Sequence, residues 1–212
     1  VEHAASVTHL AVVAAGPALA IVDAAGPGVS LSPQRAFDAT APVHAVELSE
    51  APLRFDPIDA VPRLATIGAL LAAAEAVGAA GRMLDDACAY ATERRQFGRP
   101  IGSFQALRHL LADLYVRQVS SWSSVLYAAA ALDERADDAA RTASIAKAYV
   151  GRAAREVAHG AMQVFGGIAM TAEHPAHRFL RRVIVRERQF GDPAHHERAL
   201  GRALAAVAVP VA

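Results

Sequence analysis

Few of the chemically capable side chains in this 212-residue chain fall in a spacing that marks a catalytic or metal site. A lone cysteine, Cys88, excludes an internal disulfide and a thiolate metal cluster, and it matches a reducing, cytoplasmic setting. The nine histidines form no metal-ligand spacing, so no metal is expected. His195 and His196 are adjacent, which points them to different sides of a helix and reads as a solvated surface. Phosphate chemistry has no Walker loop or dinucleotide fingerprint to rest on, and acyl transfer or peptide hydrolysis has no nucleophile elbow or HExxH. Arg178, Arg181, Arg182, Arg186 and Arg188 form a basic series. A solvated helix face or a subunit contact is the preferred reading over a phosphate grip. The 21 basic and 21 acidic residues cancel, which argues against nucleic acid or an anionic membrane as the main partner.

One segment has a denser chemistry: Tyr90-Ala-Thr-Glu-Arg-Arg-Gln-Phe-Gly-Arg-Pro-Ile-Gly-Ser-Phe-Gln105. It resembles the C-terminal signature of the acyl-CoA dehydrogenase family, in which a helix ends in Tyr…Glu-Arg…Phe-Gly and the next begins near Gln. A second family element follows in order and at fitting distance, Ala146-Lys147-Ala148 and then Gln163-Val164-Phe165-Gly166-Gly167. The resemblance covers residues 60 to 210 well. It extends weakly into residues 1 to 55, where Asp38-Ala-Thr matches a family turn.

The resemblance implies FAD as cofactor, lying across a subunit boundary with its pyrophosphate and adenine end on a neighbouring helical domain. Arg94 matches the arginine at the pyrophosphate, a role that suits a planar fork of donors. Gln96 stands where a hydroxyl is common, and its amide can still reach a phosphate oxygen. Phe97 matches an aromatic packed near the cofactor, Gln105 and Gln163 match polar contacts, and Gly166 and Gly167 let the backbone come close.

Removing an α-proton while a β-hydride leaves for flavin requires a base, and the family uses a glutamate in a dry site. Counting from Gly166-Gly167 puts Phe190 at one family position for that glutamate. Counting back from Phe97-Gly98 puts Gly68 at the alternative position. Neither residue can take a proton. Glu187, between two arginines, is expected to be a salt-bridged surface carboxylate, and Glu75 is expected on a charged face. Family members also carry an N-terminal helical domain and the first half of the β domain, which this sequence does not contain. The chain therefore reads as the non-catalytic subunit of an FAD-dependent acyl-CoA dehydrogenase, completing the FAD site of a homologous subunit in a hetero-oligomer of the α2β2 kind. It resembles such subunits of actinobacterial heterotetramers that act on steroid side-chain CoA thioesters. Two alternatives stay open: an active homo-oligomer with an unconventional base, and a structural scaffold without flavin.

The elements that must position these residues divide near residue 58. Residues 1–57 are expected to form a partial middle β-sandwich or barrel domain, with strands at His9-Val13, Ala18-Val22, Val29-Leu31 and Val43-Leu48 and turns such as Gly16-Pro17. The uncharged run from His3 to Val22 fits two short strands better than a signal peptide or an anchor. Residues 58–212 are expected to form an antiparallel helical bundle, so the fold class is mostly α. Its first helix carries Leu64, Ile67, Leu71, Ala74, Gly78, Leu84, Cys88 and Ala91 on the apolar face and ends before Gly98. A second is capped by Ser103 and buries Leu107, Leu111, Leu114, Trp122, Val125 and Ala129. A third spans about Asp137 to Val164, a fourth begins near Pro175, and a fifth follows Asp192-Pro193. The 52 alanines suit close helix packing.

Overall fold

The computed structural model describes residues 1–14, 18–56 and 60–207, and the chain divides into two compact units, Val1–Ala65 and Thr66–Ala212. The expected Gly16-Pro17 turn and the expected boundary at 57/58 lie outside the described residues.

The first unit is β-structure. Strands β1 (His9–Ala14), β2 (Ala18–Asp23) and β5 (Arg54–Asp56) form an antiparallel sheet in the order β1-β2-β5, and β3 (Val29–Gln34) pairs with β4 (Val43–Leu48). Leu10 and Val22 from the first sheet share a core with Val29, Leu31 and Val46 from the second, which is the expected sandwich arrangement. β5 was not foreseen, because three residues between prolines carry no alternation to read. In the Asp38 turn, Oδ1 accepts from Thr40 N–H (2.9 Å) and Thr40 Oγ1 (2.6 Å), an Asx-turn that satisfies a buried carboxylate.

Among the described residues the second unit contains five helices: α1 (Ala60–Glu93, its first residues in the other unit), α2 (Gln105–Asp133), α3 (Ala139–Phe165), α4 (Ala176–Arg188) and α5 (Pro193–Val207). Alanine makes this packing possible. On α3, Ala143, Ala146, Ala153, Ala154, Ala158 and Ala161 are all buried, so neighbouring axes can approach closely. At Gly160 even a methyl group would meet Leu114 Cδ1 at 2.5 Å, which fixes where α2 crosses α3. Asp192 caps α5 by accepting the His195 N–H at 2.7 Å, with Pro193 at the first helical position as expected.

Several local expectations are corrected. Ser103 does not cap α2: the chain makes a 3-10 turn over Ile101–Ser103, the Ser103 hydroxyl donates to Pro100 O (2.7 Å), and the helix starts two residues later. The buried face of α1 is carried by Leu70, Ala73, Val77, Ala80, Leu84, Ala87 and Ala91, whereas Leu64, Leu71, Gly78 and Cys88 are exposed. Trp122 of α2 is exposed as well.

Candidate functional site

The signature segment folds as a hairpin that stands off the end of the bundle. After α1 the chain forms β6 (Arg95–Gln96) and β7 (Arg99–Pro100), paired Arg95↔Pro100 and Gln96↔Arg99. Phe97 (φ 51°) and Gly98 (φ 80°) form the two-residue tip with both φ angles positive, the turn whose twist matches that of the strands. Arg95 Nη2 donates to Gly98 O (3.2 Å), and the Gln96 amide donates to Arg95 O (2.9 Å). The root is clamped by Ile101 N–H to Arg94 O and Arg94 N–H to Tyr90 O, both 2.8 Å.

On this scaffold Phe97 is 91% exposed, supported only edge-on by Phe104 at 6.1 Å between centroids. Arg99 lies 4.0 Å above the Phe104 ring, a cation–π contact that stiffens the base of the loop. Arg94 is exposed, and it has no carboxylate partner among the described residues. A bare aromatic and uncompensated guanidinium groups on a rigid turn fit a flat, anionic ligand held against another surface.

The other residues implied by the resemblance gather at this same end. Gln105 begins α2, directly after Phe104, and is exposed. Gln163 is exposed on the last turn of α3, and Phe165 packs edge-on against Tyr90 at 5.6 Å, one turn before Arg94. Gly166 breaks α3 at φ 67°, and a Cβ on Gly166 or Gly167 would meet nothing within 4 Å, which leaves open backbone beside the hairpin root.

The two counted base positions also come together, although they lie 122 residues apart in sequence (190 minus 68). A Cβ built on Gly68 would stand 2.3 Å from Phe190 Cε1, 2.5 Å from Cζ and 2.6 Å from Cδ1. The phenyl ring thus rests on the bare backbone of α1. Its turn follows α4, with Phe190 at φ 55° and Gly191 at φ 97°.

The surroundings of that turn correct three readings. The arginine series is not uniformly solvated: Arg186 is buried, and both Arg182 and Arg186 donate to the Glu75 carboxylate across α1 and α4. Glu75 is accordingly not on a free charged face. Burial alone would raise its pKa, but hydrogen bonds from Arg186 and Arg182 hold it below the usual carboxylate value. His196 is buried and Nε2 contacts Phe190 O at 3.0 Å. That carbonyl can only accept, so Nε2 carries the proton. Burial pushes the His196 pKa down.

Glu187 is salt-bridged as expected but is less exposed than a surface carboxylate, its side chain 11% accessible. It faces Arg155 at 3.4 Å in a groove of about 1270 Å³ between α2, α3 and the α4–α5 turn, and neither Gly68 nor Phe190 lines that groove. It therefore faces a different space from the Gly68–Phe190 contact. Sequence reasoning named Lys147, the one lysine, within a family element but missed its role. It is 1% exposed, and its Nζ donates to Arg186 O (3.0 Å) and Glu187 O (2.7 Å), satisfying carbonyls at the end of α4. Burial pushes its pKa down to about 8 against the charges of Glu187 and Asp192. A lone lysine inside an alanine-rich helical segment was the signal.

The chain resembles known proteins in both sequence and fold. Residues 60–208 match the family described as acyl-CoA dehydrogenase, C-terminal domain. The chain is 42% identical over 137 residues to the acyl-CoA dehydrogenase IpdE2 of Mycolicibacterium smegmatis, covering 65% of this chain and 42% of that protein. A variant of the Tcur3481-Tcur3483 steroid ACAD superposes with a TM-score of 0.88 at 29% identity, over 95% of this chain and 56% of that one. The ChsE4-ChsE5 complex from Mycobacterium tuberculosis gives 0.78 at 31% identity, over 92% and 53%. The chain thus spans about half the length of the relatives it matches.

Proposed function

Because this chain belongs to the acyl-CoA dehydrogenase family through its C-terminal domain, whose members depend on FAD, we propose that it is a subunit that carries no catalytic glutamate and completes the FAD site of a homologous partner. The observation that carries this reading is a separation. Gly68 and the hairpin root at Glu93 lie on one continuous helix, 25 residues apart, or about 38 Å at 1.5 Å per residue. One flavin site cannot use both ends of the same helix in this way. The exposed hairpin therefore serves a site whose base end belongs to another subunit.

FAD supplies the hydride acceptor when bound. In the proposed site Arg94 holds the pyrophosphate, Gln96 adds a neutral donor, and Phe97 covers an apolar face of the cofactor. Gln105 and Gln163 contribute polar contacts, and Gly166 and Gly167 let backbone approach the adenine end. The partner subunit provides the base and most of the acyl-CoA pocket for α,β-dehydrogenation of the thioester. The similarity to the steroid ACAD and to the two-protein ChsE4-ChsE5 complex supports a steroid side-chain thioester and a mixed assembly of the α2β2 kind.

Arg94→Ala tests the assignment in the complex co-expressed with its partner. Losing a charge-assisted pair to phosphate is expected to cost about 1.5–3 kcal/mol, a ten- to hundredfold weaker hold on FAD. Flavin absorbance per protein after dialysis measures it, and unchanged retention sinks the assignment.

A further inference from the structure

Phe190 occupies the left-handed region of backbone space, a strained conformation for a residue bearing a side chain. Burial does not offset that strain, since the side chain stays 55% exposed. Yet the turn is pinned on every side. Lys147 holds the carbonyls of Arg186 and Glu187, Arg186 Nη1 donates to Gln189 Oε1, and His196 donates to the carbonyl of Phe190 itself. At Gly191 a Cβ would strike the rings of His195 and His196 at 2.6 and 3.0 Å, so the next residue is confined to glycine. A strained, half-exposed ring held this firmly is placed for the space it takes away.

That space lies directly over Gly68. A side chain of any size there collides with three carbons of the ring, and a carboxylate replacing the ring would stand on the same patch of α1. The two positions therefore address one small volume, and the phenyl group fills it with a surface that neither accepts a proton nor admits a substituent.

We infer that Phe190, seated on Gly68 and held by Lys147 and His196, is a steric plug that closes this chain's own acyl site to a CoA thioester, so that thioester enters only where the partner subunit supplies the base. This rests on the reading above that places the family's base at these positions. It goes beyond the missing glutamate: a chain without a base could still bind thioester unproductively and sequester it, whereas a plugged one cannot.

The test is calorimetric titration of the co-expressed complex with octanoyl-CoA and with a steroid side-chain CoA thioester. The wild-type complex is expected to saturate at about one thioester per two subunits. Phe190→Gly, or Phe190→Ala where the glycine variant is unstable, is expected to raise that capacity about twofold, whereas the equally apolar Phe190→Leu leaves it nearly unchanged. Wild-type capacity of one thioester per subunit overturns the plug, and so does a folded Phe190→Gly complex with no gain. Failure of this chain to enter any mixed complex instead removes the functional reading on which the plug rests. In that case thioester binding by the partner alone shows that the probe was sound.

Discussion

Replacing Gly68 by alanine is expected to destabilise the chain by about 2 kcal/mol, the usual cost of forcing a methyl group into occupied space. Alone, the change ought to help, since alanine exceeds glycine by about 1 kcal/mol inside a helix. The sign therefore depends on the phenyl ring. In a Phe190→Ala background the same substitution is expected to become neutral or stabilising, and a double-mutant cycle of urea melts reads the coupling directly. Additive effects would show that the ring does not lie on Gly68. At this scale the sequence was informative about identity and silent about contact. Two independent counts named Gly68 and Phe190, but only the packing of α1 against the α4 turn brings them together. The roles of Lys147 and His196 were illegible for the same reason, since their partners are backbone carbonyls about 40 and six residues away.

Between elements, the joint that matters most is the clamp of Glu75 on α1 by Arg182 and Arg186 on α4. Glu75→Gln keeps the shape and removes the charge, leaving the buried Arg186 guanidinium with less compensation. The expected loss is about 2 kcal/mol, below the 3–5 typical of fully buried pairs because Glu75 is partly solvated. Thermal melts at low and high salt check it, and a loss that vanishes in salt would reassign the clamp to the exposed class. Helix number, order and approximate limits were all legible, because capping residues and Gly-Pro breaks mark ends locally. The face of α1 was legible only in part: Leu84 and Ala91 are buried as expected, but alanine is compatible with either side of a helix, so the larger Leu64 and Leu71 drew the rest of the stripe toward solvent while Leu70, Val77 and the alanines beside them formed the contact. Ser103 failed as a cap because the 3-10 turn before α2 engages its hydroxyl first.

For the whole molecule, the buried lysine sets an uncommon pH response. The pKa of Lys147 falls from 10.5 in the unfolded chain to about 8 in the fold. Between those values the unfolded state holds a proton that the folded state has released, so stability rises with pH across that window and is lost again as pH falls through 8. The shift corresponds to roughly 3 kcal/mol at most. His196, lowered by burial, adds a second loss as pH drops below its ordinary value near 6.5. Urea midpoints of the wild type are therefore expected to climb between pH 8 and 10, and Lys147→Met to show a flat profile there with lower stability throughout. A wild-type midpoint that falls over this interval contradicts the buried-ammonium account.

The unbroken run of α1 from Gly68 to Glu93 has a consequence for how such a chain can change. Under the proposed function it works as a ruler whose two marks belong to different chambers of an assembly. Inserting one residue between the marks would advance the far end by about 1.5 Å and turn it by about 100°, swinging Phe97 away from its target while leaving the near end untouched. Damage to the sequence at one address would be felt at another, in a neighbour whose own sequence is intact.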